Sequence, residues 1–165
     1  MNPTISVVIP TFNRRETLAE VLPLLARQSL PQEQVELLVC DSGSTDGTKE
    51  LLAELAIPNL RHILPPENRG RSGARNAGIR AAAGELVMFT DADILASPNL
   101  LEEHLRLHRA RPHSAVVGLE VQVDTLAEFE KVRDNPYDKG RHMHGREDKE
   151  MSWLFFLTGN ASAPR

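Results

Sequence analysis

Glu85-Leu-Val-Met-Phe-Thr-Asp-Ala-Asp93 is the stretch on which the fold turns. Its apolar run is too short for a buried helix and does not alternate with polar residues. It therefore reads as a strand covered on both faces, the kind found in parallel sheets. Two carboxylates, Asp91 and Asp93, follow at its carboxyl end. Two residues apart on an extended backbone they would point the same way, and the turn after a parallel strand can swing both toward one ligand. Hard oxygen donors suit Mg2+ or Mn2+, usually shared with a substrate phosphate. The competing reading makes Asp93 or Ser97 the cap of the next helix. Ser97-Pro98 already supplies a cap and a first-turn proline, which frees both aspartates for a cation.

Outward from that strand the same pattern repeats. Ile5-Ser-Val-Val-Ile-Pro10 and Val35-Glu-Leu-Leu-Val-Cys40 are further buried strands, Leu60 to Leu64 is a weaker one, and Ala115 to Val123 reads as a fifth. Between them fall helical patterns at about 15–28, 48–56, 72–83 and 98–111. The first is opened by Asn13, with Glu16 in capping-box spacing, and carries the apolar stripe Leu18, Val21, Leu22 and Leu25, with Pro23 expected to kink it. The third is built of small residues and stopped by Gly84, in the place of a left-handed C-cap. Alternating strands and helices predict an α/β domain with a mostly parallel sheet and helices on both faces. Three parts follow: the α/β core over 1–123, a charged and partly mobile excursion over 124–150 with one helix at about 126–133, and 151–165, where Met151-Ser-Trp-Leu-Phe-Phe-Leu157 returns to core-like apolarity.

Composition narrows the function. The chain has 165 residues, a net charge of -4 and a pI near 5.9. Nucleic-acid binders need a basic stripe to release counterions, so an extended nucleic-acid partner is excluded and a small phosphate is not. Cys40 is the only cysteine, which removes internal disulfides and Cys-rich zinc sites and suits a reducing cytoplasm. No apolar run approaches the ~18 residues of a membrane span, which leaves peripheral attachment to a membrane open.

In open parallel sheets the ligand crevice lies outside the carboxyl ends of the strands. Thr11, Phe12 and Asn13 fall there after the first strand, Asp41 after the second, Asn68 to Arg71 after the third and the aspartates after the fourth. Asp41 can accept a hydrogen bond from the imide N–H of uracil, thymine or guanine, a proton that cytosine lacks, or it can anchor the turn Ser42-Gly-Ser-Thr-Asp-Gly47. Phe12 offers a stacking face, and Arg71 suits base or phosphate.

Val7-Val-Ile-Pro-Thr-Phe-Asn13, Asp41-Ser-Gly-Ser-Thr-Asp-Gly47, Asn68-Arg-Gly-Arg-Ser-Gly-Ala-Arg-Asn76 and Asp91-Ala-Asp93 resemble, in order and spacing, the successive blocks of family 2 glycosyltransferases. Leu157-Thr-Gly-Asn-Ala161 is similar to a later block. The resemblance implies a GT-A fold, a nucleoside-diphosphate sugar donor of UDP, dTDP or GDP type, and inverting transfer to an acceptor hydroxyl on a saccharide or lipid-linked saccharide. By position it implies base stacking at Phe12, base recognition at Asp41 and Arg71, nucleoside contact at Asp91 and ligation of Mn2+ or Mg2+ at Asp93. The donor-binding set so drawn is Pro10, Thr11, Phe12, Asn13, Asp41, Arg71, Asp91 and Ala92. Asp91, His142 and His144 are further candidates for the metal shell. On this reading 1–123 is the nucleotide-sugar-binding core and 151–165 the start of the acceptor side.

Attack by the acceptor hydroxyl needs a carboxylate base on the face opposite the leaving diphosphate. The family carries that base in a Glu-Asp motif after the Thr-Gly-Asn block, and only five residues follow Asn160 here. Glu147 and Asp148 resemble the motif but precede the block, and a solvated charge run explains them equally well. The chain is thus expected to lack the C-terminal part of such an enzyme, to bind nucleotide, and to transfer sugar poorly alone. A nucleotide-sugar-binding domain without turnover is the alternative. A nucleotidyltransferase or a dinucleotide-binding oxidoreductase would need glycines after the first strand, where Thr11-Phe-Asn-Arg-Arg15 has none. His104 and His108 share a helix face at i, i+4 and could hold zinc, although an amphipathic helix with no third ligand explains them better. Trp153, Phe155 and Phe156 could floor an acceptor pocket or belong to the core, and the apolar stretch around Trp153 predicts self-association into a homo-oligomer.

Overall fold

The computed structural model describes residues 3–65, 70–120, 123–132 and 159–165. Glu147, Asp148, His142, His144, Asn68, Trp153, Phe155 and Phe156 lie outside them. Strands β1 (Ile5–Thr11), β2 (Val35–Asp41), β3 (Leu60–Ile63) and β4 (Leu86–Thr90) form the parallel part of one sheet, in the order β3-β2-β1-β4. Helices α1 (Arg15–Ala26), α2 (Thr48–Leu55) and α3 (Gly70–Ala81) connect them, and α4 (Leu100–Ala110) follows β4.

The two-residue period of the strands sorts the core into two layers. Ile5, Val7 and Ile9 of β1, with Val35, Leu37 and Val39 of β2 and Leu86 and Met88 of β4, face Leu18, Val21, Leu22 and Leu25 of α1, Leu51 and Leu52 of α2, and Leu101 and Leu105 of α4. Val8, Leu38, Cys40 and Val87 point the other way, against Ala74 and Ala82 at α3. Each large aliphatic side chain so buried contributes about 1.5–3 kcal/mol. Burial also pushes the Cys40 thiol up to about 12, which makes it inert. α3 is rich in small residues because it lies close to the sheet. A Cβ on Gly78 would meet Val8 Cγ1 at 2.5 Å and Cys40 Sγ at 2.7 Å.

Three local expectations are corrected. Asn13 does not cap α1; the N-cap is Arg14, without a side-chain hydrogen bond, and the free N–H of Arg15 donates to Asp46 Oδ2 at 2.8 Å from the loop after β2. Nor does Ser97-Pro98 open the fourth helix, which begins at Leu100. Gln28 joins its start to the end of α1 instead, donating from Nε2 to Ser97 O at 2.8 Å and accepting from Leu101 N at 3.1 Å. Gly84 is not in the left-handed region. It is required because a Cβ there would lie 2.8 Å from the backbone nitrogen of Ser6.

Of the strand expected over 115–123, the described residues show β5 (Val116–Val117), with 121–122 outside them. β6 (Asn160–Pro164), which the periodicity does not announce, runs antiparallel between β4 and β5 and completes the sheet as β3-β2-β1-β4-β6-β5. Phe129 and Val132 of the short helix α5 (Leu126–Val132) are buried.

Candidate active site

The carboxyl ends of β1 and β2 sit side by side, with Thr11 opposite Asp41 in register and Ser42 N donating to Thr11 O. The loops that follow are laced together. Asn13, with φ of 51°, donates from its backbone to Ser44 Oγ and accepts from Thr45 N at its side chain, both at 2.8 Å. Left-handed backbone is tolerated by asparagine. Asp46 accepts from the Thr48 hydroxyl, the contact that most lowers its carboxyl below the ordinary value, and from the backbone N–H groups of Arg15 and Thr48. These bonds hold Phe12 at the rim, where it stays 52% exposed although it is a large apolar side chain.

Asp41 is buried, and its two oxygens differ. Oδ1 accepts from Gly43 N at 3.1 Å, Ser44 N at 2.9 Å and Ser44 Oγ at 2.6 Å, so the turn-anchoring role is present. Oδ2 receives no hydrogen bond among the described residues. Its near neighbour is His62 Nε2 at 3.4 Å, close enough to count as an ion pair if protonated but not aligned as a hydrogen bond. The alignment decides, and Oδ2 remains an open acceptor.

Arg71 and Arg75 stand one turn apart on α3, on one face. Arg71 is exposed, whereas Arg75 donates from Nη2 to Asp91 Oδ1 at 3.0 Å while its buried Nε has no partner. After β4 the backbone turns, with Ile94 N donating to Asp91 O at 3.3 Å, and the two carboxylates part company. Asp91 is paired and partly buried, Ala92 is buried, and Asp93 is exposed with no hydrogen bond or ion pair among the described residues. No cluster of three or more His, Cys, Asp or Glu side chains is poised for a metal among those residues. One open carboxylate beside a crevice still fits Mg2+ or Mn2+, which take one or two carboxylates and complete their shell with water and substrate phosphate. Pro10 lies within β1, and buried Thr11 Oγ1 and Thr90 Oγ1 at the strand ends lack partners.

Sequence reasoning assigned no individual role to Ser44, Asp46 or Arg75, which lie inside quoted blocks, or to His62, which shows only once β3 is paired with β2. His104 and His108 prove to be core residues that dock α4 on β6. Asn160 Nδ2 donates to Leu119 O, which leaves Asn160 Oδ1 to accept from His104 Nε2 at 2.9 Å. His104 Nδ1 must then accept from Ser162 Oγ at 2.7 Å, and Ser162 Oγ accepts from His108 Nε2 at 2.8 Å. Both rings are neutral in this chain of bonds. Burial pushes His104 down to about 4 and also lowers His108.

Residues 6–162 match the profile of glycosyl transferase family 2. Glycosyltransferase AglE of Haloferax volcanii is 36% identical over 102 residues, which are 61% of this chain and 34% of that protein. Among solved structures, the mannosyltransferase PcManGT from Pyrobaculum calidifontis in complex with GDP-Man and Mn2+ superposes with a TM-score of 0.68 at 27% identity, over 100% of this chain and 45% of that one. S. aureus TarS 1-349 in complex with UDP-GlcNAc gives 0.62 at 27% identity, over 69% of this chain and 33% of that one. The chain spans less than half the length of these relatives. With its six-stranded α/β sheet of GT-A type, it belongs to the family 2 glycosyltransferases.

Proposed function

We propose that the chain binds a nucleoside-diphosphate sugar whose base sets a ring N–H beside a carbonyl, as in the imide of uracil and thymine or the lactam of guanine, and that it serves transfer of the sugar, with inversion, to an acceptor hydroxyl. The observation that carries this reading is the gathering at the carboxyl ends of β1, β2 and β4 of an exposed aromatic, Phe12, a carboxylate oxygen of Asp41 and an exposed carboxylate, Asp93, neither of which accepts a hydrogen bond among the described residues. UDP-GlcNAc and GDP-Man in two neighbours both carry such a base and support the choice.

In this scheme Phe12 stacks on the base and Asp41 Oδ2 accepts its imide proton. Pro10, Thr11, Asn13 and Ala92 shape the floor, and Arg71 neutralises phosphate charge. Arg75 orients Asp91 toward the nucleoside, and Asp93 is the carboxylate that would hold Mn2+ or Mg2+. The metal, when bound, supplies Lewis-acid stabilisation of the departing diphosphate. The acceptor's proton goes to a carboxylate base on the opposite face.

Calorimetry with UDP, GDP and CDP, with and without Mn2+, tests the proposal. UDP or GDP should bind at least about tenfold more tightly than CDP, a difference of about 1.4 kcal/mol. Asp93→Ala should lose the metal-dependent part of diphosphate binding and keep nucleoside binding. Equal affinity for CDP would exclude the imide contact, and unchanged metal dependence in the variant would return Asp93 to a structural role.

A further inference from the structure

His62 is the cross-strand partner of Val39, and Asp41 lies two residues beyond Val39. With a two-residue period, His62 and Asp41 project from the same face of the sheet as diagonal neighbours. That brings His62 Nε2, a buried atom with no hydrogen-bond partner, beside a carboxylate oxygen of Asp41 that accepts no hydrogen bond among the described residues. Asp41 Oδ1 is occupied by Gly43 and Ser44, so Oδ2 is the acceptor left. Beside it, at 3.4 Å, His62 Nε2 makes no hydrogen bond. Buried polar atoms are nearly always satisfied, and those that are not call for a ligand or another explanation. The two cannot satisfy each other at this distance and alignment. An imide can satisfy both, because it sets an N–H donor next to a carbonyl acceptor.

We infer that His62 is a specificity-determining residue of the nucleotide pocket: its Nε2–H donates to the base carbonyl adjacent to the imide N–H that Asp41 Oδ2 accepts. The inference rests on the reading of Asp41 as the base-recognition residue. Uracil, thymine and guanine all present N–H beside C=O in the required order. Cytosine reverses it, setting a bare ring nitrogen against the carboxylate and an amino group against the imidazole N–H. With two mismatches instead of one, discrimination against cytosine exceeds what Asp41 alone would provide. His62 belongs to β3, at the edge of the sheet, with its side chain 20% exposed, so its replacement leaves the core intact.

The test is the affinity ratio between CDP and whichever of UDP and GDP binds more tightly, measured by calorimetry on the whole chain. His62→Ala should shrink that ratio about tenfold, through loss of UDP or GDP affinity and not through gain of CDP. His62→Gln, whose amide still donates, should restore most of it. If the alanine variant melts out, His62→Leu carries the same comparison, since it keeps the bulk and drops the donor. Asp41→Asn should abolish the preference altogether. A wild-type ratio in the donor-less variants, with preference lost in Asp41→Asn, overturns the role of His62 and leaves Asp41 standing. Preference retained in Asp41→Asn overturns the reading of Asp41 on which this one depends.

Discussion

At Gly78 the backbone of α3 lies so near the sheet that the absent side chain is what permits the contact. The atoms a Cβ would strike are the methyl of Val8 and the sulfur of Cys40, both from buried strand residues with no room to retreat. Gly78→Ala gains in helix propensity, but the overlap outweighs that gain, and overpacking of this kind costs about 1–3 kcal/mol. Urea denaturation should therefore show a lower midpoint with an unchanged slope, and a stabilised variant would contradict the packing. At Glu36 burial pushes the carboxyl up, but hydrogen bonds from Ser6, the Ala83 N–H and Arg61, with the charge of Arg61, outweigh it and leave the group below its ordinary 4.5. Neither residue is legible as special in the sequence. Gly78 is one small residue among several, and Glu36 looks like the polar position of a strand, because the partners that define each lie 25 or more residues away.

The elements were legible in proportion to how completely they are buried. β1, β2 and β4 lie in their expected places to within one residue, since a strand packed on both faces leaves an unbroken apolar run. β6 escaped because Asn160-Ala-Ser-Ala-Pro164 has neither β-branched nor aromatic residues, and its partners are the polar rings of α4. The helix caps were misread for a related reason: Asp46 and Gln28 serve from distant segments, and local spacing cannot reveal them. The candidate site was readable as a set of strand ends, but the division of labour within Asp41 and between Asp91 and Asp93 required the loops. The docking of α4 on β6 has a measurable acid sensitivity. His104 is held neutral among Asn160, Ser162, His108 and Glu103, with its value depressed from 6.5 to about 4. Between those values the unfolded chain binds a proton that the native state does not, so stability is complete above pH 6.5 and declines as the pH falls toward 4. The decline amounts to roughly 3 kcal/mol at most from this ring. Below 4.5, protonation of Glu36 adds to it. The melting temperature should fall between pH 7 and 4.5 in the wild type, and His104→Gln, less stable at pH 7, should be flatter over that range. A wild-type melting temperature constant across the range would refute the neutral-ring assignment.

Taken whole, the molecule joins a parallel half, whose four strands come from residues 5–90, to an antiparallel half that depends on the late strand β6. Its acidic balance matches a small-ligand crevice, and no helix among the described residues is long and apolar enough to cross a membrane. β4 carries Val87 and Met88 at its centre and pairs with β6 along one edge. A chain ending before Gly159 would leave that edge bare, with its N–H and C=O groups open to other strands. Light scattering should then show concentration-dependent association where the longer chain shows less; a monodisperse truncated chain would mean that another segment covers β4. The same arrangement sets an order of events during synthesis. β5 hydrogen-bonds to β6, and β4 faces β6 on its outer side, so for the interval in which the ribosome produces the residues between Val117 and Asn160 the nascent sheet is a four-stranded ribbon with an open flank. Chaperone occupancy of nascent chains should peak in that interval and drop once Pro164 has cleared the exit tunnel.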